Sequence, residues 1–180
     1  ATLLAGGSVL VAGGSNGQIE ISTSVIFTPS PTVGSWSASR NTLLTARYNH
    51  TATLLPNGLV LVAGGARTSN SAIKEVETFD PGSSVWTDAG ALVSRRTLHT
   101  TVVSQDGTIY NLGGYNGSQY QSGGDYVPFS AIVDDRTTGA PPSIRKSSIT
   151  LVDAVSFSTG GLVSVQGKNF MGLTEASGGS

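Results

Sequence analysis

Two histidines, His50 and His99, and two arginines, Arg47 and Arg96, are the side chains in this sequence best suited to chemistry. An imidazole can ligate a metal or move a proton near neutral pH, and a guanidinium can grip a carboxylate or phosphate through two donors. Their spacing decides how they read. Arg47-Tyr48-Asn49-His50 and Arg96-Thr97-Leu98-His99 are one four-residue pattern displaced by 49 positions. A catalytic group is needed once, whereas a side chain repeated with the fold satisfies the same local hydrogen bond in every unit. The structural reading is favoured for all four, with a metal-binding or catalytic role on one face of the array left open. Cysteine is absent, so no disulfide, thiolate nucleophile or Cys-containing zinc site can form. Asp134-Asp135 and Asp153 lack the alternating spacing and closing Glu of a calcium loop. No glycine-rich phosphate cradle is present either. The sequence therefore predicts no catalytic residue, no metal and no cofactor.

The elements that carry these residues are internal repeats. Residues 1–14, ATLLAGGSVLVAGG, align without a gap on residues 52–65, ATLLPNGLVLVAGG, and residues 101–114 form a weaker third copy. The glycine pairs Gly13-Gly14, Gly64-Gly65 and Gly113-Gly114 keep the same period of about fifty residues, as do Trp36 and Trp86. Within the second unit, residues 50–55 begin a strand, Asn57-Gly58 is a hairpin turn, and 59–63 form a second strand. Asn-Gly suits that turn because both residues tolerate positive φ. The unbroken apolar run LVLVA predicts burial on both faces. Residues 74–79 and a segment starting at Val85-Trp86-Thr87 supply a third and a fourth, outer strand, across an Asp80-Pro81-Gly82 turn. Four antiparallel strands per fifty residues is the unit of a β-propeller blade.

Composition agrees with an all-β chain. Over a third of the residues are Gly, Ser or Thr, and only 12% are charged. That argues against charged helical bundles, coiled coils and charge-rich disorder. A net charge of −1 provides no basic field for nucleic acid, and no apolar run reaches the length of a membrane span. The low charge and abundance of Gly, Ser, Thr and Asn resemble secreted or cell-surface β proteins.

The di-glycines, Phe79, the tryptophans Trp36 and Trp86, and the lead-ins ending His50-Thr51 and His99-Thr100 resemble the kelch repeats of galactose-oxidase-like proteins of bacterial type. The resemblance spans residues 1–130 and implies an arc of about three propeller blades, an incomplete ring. Residues 131–148 read as a linker entering a new module at Pro141-Pro142. Residues 149–180, with Gly160-Gly161-Leu162 and Gly167-Lys168-Asn169-Phe170, resemble the start of a TIG/IPT-like immunoglobulin-fold module. The first unit lacks its Arg-x-x-His-Thr lead-in and neither module is complete, so the chain is expected to be a fragment. The copper-radical site of galactose oxidases requires, as the resemblance implies, a Cys cross-linked to a Tyr, which this chain cannot supply.

Trp36 and Trp86 are expected to pack between blades, with carbohydrate stacking as the alternative. Loop 115–124, led by Tyr115, Asn116 and Tyr120, has the Tyr/Asn/Ser/Gly character of recognition surfaces; a plain connecting loop is the other reading. Asn116-Gly117-Ser118 also fits a glycosylation sequon. Together these features predict a non-catalytic, extracellular or cell-surface structural and binding module. Its partners would be other protein chains or the rest of its own propeller, with a glycan as a further possibility. The alternative is a fragment of a galactose-oxidase-like or other carbohydrate-active enzyme whose catalytic residues lie outside this chain.

Overall fold

The computed structural model describes residues 1–68, 71–105 and 107–127. The expected linker at 131–148 and β segment at 149–180 lie outside the described residues. The described residues form thirteen strands. Strands β1 (Thr2–Leu3), β2 (Val9–Ala12), β3 (Ser24–Thr28) and β4 (Ser35–Ala38) make one antiparallel sheet in chain order. The second sheet holds β5 (Thr51–Leu54), β6 (Val60–Ala63), β9 (Glu75–Asp80) and β10 (Val85–Ala91). A small hairpin, β7 (Ala66–Arg67) and β8 (Ser71–Ala72), is inserted between its middle strands. Strands β11 (Thr100–Val103), β12 (Ile109–Leu112) and β13 (Gly124–Val127) form the third sheet.

The expected turn drives the first hairpin of each unit. Gly58 adopts φ +85°, and Leu55 and Leu59 close the loop through a 2.8 Å backbone bond. Gly7 and Gly107 take the same left-handed conformation at the equivalent positions, which glycine alone reaches without a Cβ penalty. The first strands of successive sheets lie against one another, β1 on β5 and β5 on β11. Thr2 Oγ1 donates to the Ala52 carbonyl across the first of these seams at 3.2 Å. The sheets thus fan out from their first strands as the blades of a β-propeller do.

The LVLVA run behaves as its composition predicts. Val60 and Val62 face the first sheet and pack with Leu4, Leu10, Leu43, Phe79 and Trp86. Leu61 and Ala63 face the other way, toward Val76, Leu92 and Ile109. Alternation along a single strand therefore builds two cores, one on each side of the middle blade. Trp86 is 2% exposed, tilted against Phe79 with ring centroids 4.9 Å apart. Its indole N–H donates to Ser24 Oγ at 2.8 Å, and Asn41 pairs with its backbone N–H and carbonyl. Trp36 keeps the same pairing with Phe27, at 5.0 Å, but is 62% exposed. The expectation of packing between blades thus describes Trp86 and not Trp36, whose side of the first sheet no described residue covers.

Candidate functional site

The segment leading into each first strand crosses one rim of the arc, from the outermost strand of one blade to the innermost strand of the next. Arg47 is fully buried under the first such crossing. Its Nη1 donates to the carbonyls of Gly64 (3.0 Å) and Glu75 (2.7 Å), its Nε to Thr45, and its Nη2 to the Glu77 carboxylate. Glu77 also accepts from the backbone N–H groups of Leu44 and Thr45. Burial pushes the guanidinium pKa down and Glu77 opposes the shift. Arg96 repeats the arrangement one blade on. Two of its nitrogens donate to Asp125 at 3.1 Å, and Nη1 donates to the carbonyls of Gly113 and Gly123. Both arginines tie a lead-in to the second and third strands of its own blade. Glu77 and Asp125 went unnoticed in the sequence, although each is an acid on the third strand of its unit, 48 residues apart.

Each histidine sits in a seat made by two glycines. A Cβ added to Gly64 would lie 2.5 Å from the Arg96 carbonyl oxygen and 2.9 Å from His99 Cε1. One added to Gly114 would lie 2.8 Å from His99 Cβ. His99 is thus held between the first glycine of the preceding blade and the second glycine of its own. Gly13 and Gly65 hold His50 in the same way, at 3.0 and 2.9 Å. A Cβ on Gly14 would meet nothing within 4 Å, and one on Gly113 only the Gln121 carbonyl at 3.9 Å. The residue before each histidine, Asn49 or Leu98, takes positive φ (52° and 56°) and turns the imidazole down into its seat. Burial, then the neighbouring Arg47 or Arg96, lowers both histidine pKa values to about 4.

Three loops joining second to third strands emerge on this same rim and touch in sequence. Thr68 Oγ1 donates to Glu20 at 2.7 Å, linking the first loop to the second and holding that carboxyl below its ordinary pKa. Gly117 lies against the Ala72 backbone, linking the second loop to the third. Loops 15–20 and 115–120 are built alike. Asn16 Oδ1 accepts from the N–H groups of Gln18 and Ile19, and Asn116 Oδ1 from those of Ser118 and Gln119. Bridges Ser15–Glu20 and Tyr115–Tyr120 close the two loops. The Tyr115 and Tyr120 rings are 5.4 Å apart, with Tyr120 84% exposed. Leu98, beside the Thr97–Tyr115 bridge, is 65% exposed. The structure therefore gathers Tyr115, Asn116 and Tyr120 on one surface with Leu98, Ile19 and Glu20. The last three were missed, although Asn-Gly at 16–17 and 116–117, two periods apart, marks the equivalence of the two loops.

Chemically, this rim offers aromatic, apolar and amide groups for contact. No group of three or more His, Cys, Asp or Glu side chains able to hold a metal occurs among the described residues. His99 is committed through Nε2 to Thr51 at 3.1 Å. Among the described residues no helix is long and apolar enough to cross a membrane.

No protein-family model matches the chain, and no curated protein matches it. Among solved structures 140 chains match. One is a fungal alcohol oxidase of the AA5 family in complex with copper, at 22% identity and a TM-score of 0.55. The match covers 61% of this chain and 24% of the oxidase, so this chain spans about a quarter of that protein's length. At that identity the likeness shows the fold alone, an all-β arrangement of antiparallel sheets.

Proposed function

We propose that this chain is part of a kelch-type β-propeller that acts outside the cell as a non-catalytic binding module, meeting a protein partner through its loop-bearing rim. The observation that carries this reading is a division of labour among side chains. The histidines best suited to chemistry are spent in seats between blades and the arginines in anchoring each lead-in to its own blade, whereas the rim presents Tyr120, Leu98 and Ile19 outward. Exposed aromatic and apolar side chains beside amide groups are what protein recognition draws on. Photo-crosslinking from position 120, with position 87 on outermost strand β10 as control, tests the proposal. A discrete adduct from position 120 alone is expected; equal labelling from both positions refutes it.

The likeness to a copper alcohol oxidase supports a second reading, in which the chain belongs to a longer oxidase whose catalytic residues lie outside it. The described donor set does not fit copper. The histidines are held in separate glycine seats, and the sequence has no Cys for the cross-link. Copper loading and alcohol-oxidation assays on a longer protein that carries this chain separate the two readings. Copper-dependent turnover there would favour the oxidase.

A further inference from the structure

We propose that the two histidine seats are acid-sensitive latches between adjacent blades, closed while the imidazoles are neutral and released when a proton is added at Nδ1. The geometry is clearest at His99, where a hydrogen-bond chain fixes the tautomer. Asn111 Oδ1 can only accept, and Thr101 Oγ1 donates to it at 2.7 Å. Thr101 is then left to accept from Thr51 Oγ1, its neighbour in this chain. Thr51 accepts in turn from His99 Nε2 at 3.1 Å. The ring proton therefore sits on Nε2, and the only place for a second proton is Nδ1. That atom is buried and has no partner among the described residues. His50 Nδ1 is buried and unpartnered in the same way, while its ring bonds the Ala12 backbone of the preceding blade.

The charged groups facing each seat give an imidazolium little help. At His99 these are Arg96, which repels it, and Asp125, which attracts it but has both carboxylate oxygens engaged by Arg96. At His50 they are Arg47 and His99, both unfavourable to a new positive charge. Glu77, the carboxylate nearest that lead-in, is taken up by Arg47 and two backbone N–H groups. A desolvated cation without an acceptor is costly, and opening the seam returns the ring to water.

The sign follows from the lowered pKa values of about 4 against an ordinary 6.5. Above pH 6.5 both rings are neutral whether a seat is open or closed, and pH has no effect through them. Between 6.5 and 4 only the open state takes up protons, so the opening constant rises about tenfold per histidine per pH unit. Below 4 the effect levels off. Each seat joins two blades, so its release loosens the seam without cutting the chain.

Hydrogen exchange of the wild-type chain between pH 7.5 and 4.5, corrected for intrinsic rates, tests this. Protection of Gly65 N–H, which donates to the Arg96 carbonyl beside the seat, is expected to fall tenfold per unit below pH 6.5. The variants His99→Gln and His50→Gln keep a neutral donor in the seat; His99→Gln should abolish the dependence at Gly65, and His50→Gln the matching dependence at Gly14 N–H, which donates to the Arg47 carbonyl. A double variant that retains the wild-type pH dependence overturns the proposal. If the variants do not fold, proton NMR titration of the wild-type rings decides. Midpoints near 6.5 overturn the proposal, and midpoints below about 5 support it.

Discussion

Trp36 and Trp86 sit on the fourth strands of consecutive blades, each tilted against the phenylalanine paired across from it, yet one is exposed and the other sealed. The difference arises one blade away. Trp86 is covered by the core that contains Leu4, Leu10 and Leu43, and its N–H is satisfied by Ser24. The blade that supplies this cover shows Trp36 on its own opposite side. Repetition in sequence thus yields unequal environments, because each blade is completed by its neighbour.

Trp86→Ala should therefore cost about 3–5 kcal/mol, the range for a buried aromatic truncated to Ala. Trp36→Ala, which forfeits only an exposed aromatic contact, should cost about 0.5–1.5 kcal/mol. Urea denaturation of both variants checks this, and similar losses would contradict the assignment of faces.

Arg47→Ala leaves Glu77 buried with its charge uncompensated and strips donors from the carbonyls of Thr45, Gly64 and Glu75. Breaking a buried pair in this way costs about 3–5 kcal/mol. Arg96→Ala should cost a similar amount through Asp125. Denaturation midpoints at neutral pH measure both.

Gly64→Ala and Gly58→Ala place the same methyl group at positive φ with opposite surroundings. At Gly58 a Cβ meets nothing within 4 Å, so only the left-handed backbone is penalised, by about 1 kcal/mol. At Gly64 the same atom collides with the Arg96 carbonyl and the His99 ring, and the seat must open. We expect Gly64→Ala to unfold the chain or to lose at least twice as much stability as Gly58→Ala, by circular dichroism melting.

How far the sequence was legible depended on how local the signal was. The Asn57-Gly58 hairpin and the doubly buried LVLVA strand follow from residue types at short range, and the structure carries both. The di-glycines mark the period without saying what they make room for; the answer, an imidazole from the next lead-in, lies 35 residues beyond Gly64 and needs coordinates. Asp125 was hidden because its partner Arg96 is 29 residues upstream. Trp36 misled because equivalence in sequence does not convey which faces a neighbour covers.

Leu98 is a β-unbranched apolar residue held at φ 56° and open to solvent, a conformation that costs an ordinary side chain about 1 kcal/mol. The equivalent position is Asn49, a residue that tolerates it. Leu98→Asn should accordingly stabilise the chain by about 0.5–1 kcal/mol while weakening any partner captured at the rim. Stabilisation with undiminished crosslinking from position 120 would remove Leu98 from the contact surface.

Asn111 is fully buried where the preceding blade has Val62, and its Nδ2 has no partner among the described residues. Substituting Asn111→Val exchanges one hydrogen bond, from Thr101, for the removal of one unsatisfied donor. A buried bond contributes about 1 kcal/mol and an orphaned polar group costs about 1–3 kcal/mol; because a new donor is orphaned in the Thr101–Thr51–His99 chain, the two orphans offset and the variant should lose about 1 kcal/mol. The larger consequence is for the ring. With the amide oxygen gone, nothing fixes the direction of the Thr101–Thr51–His99 chain. If Thr51 keeps donating to Thr101, the Thr101 hydroxyl proton is orphaned; if the chain reverses, His99 Nδ1–H is. The two tautomers become comparable in energy. Nitrogen-15 shifts of His99 should show a pure Nε2–H form in the wild type and a mixture in Asn111→Val, with His50 unchanged. A wild-type mixture would mean that Asn111 does not orient the chain.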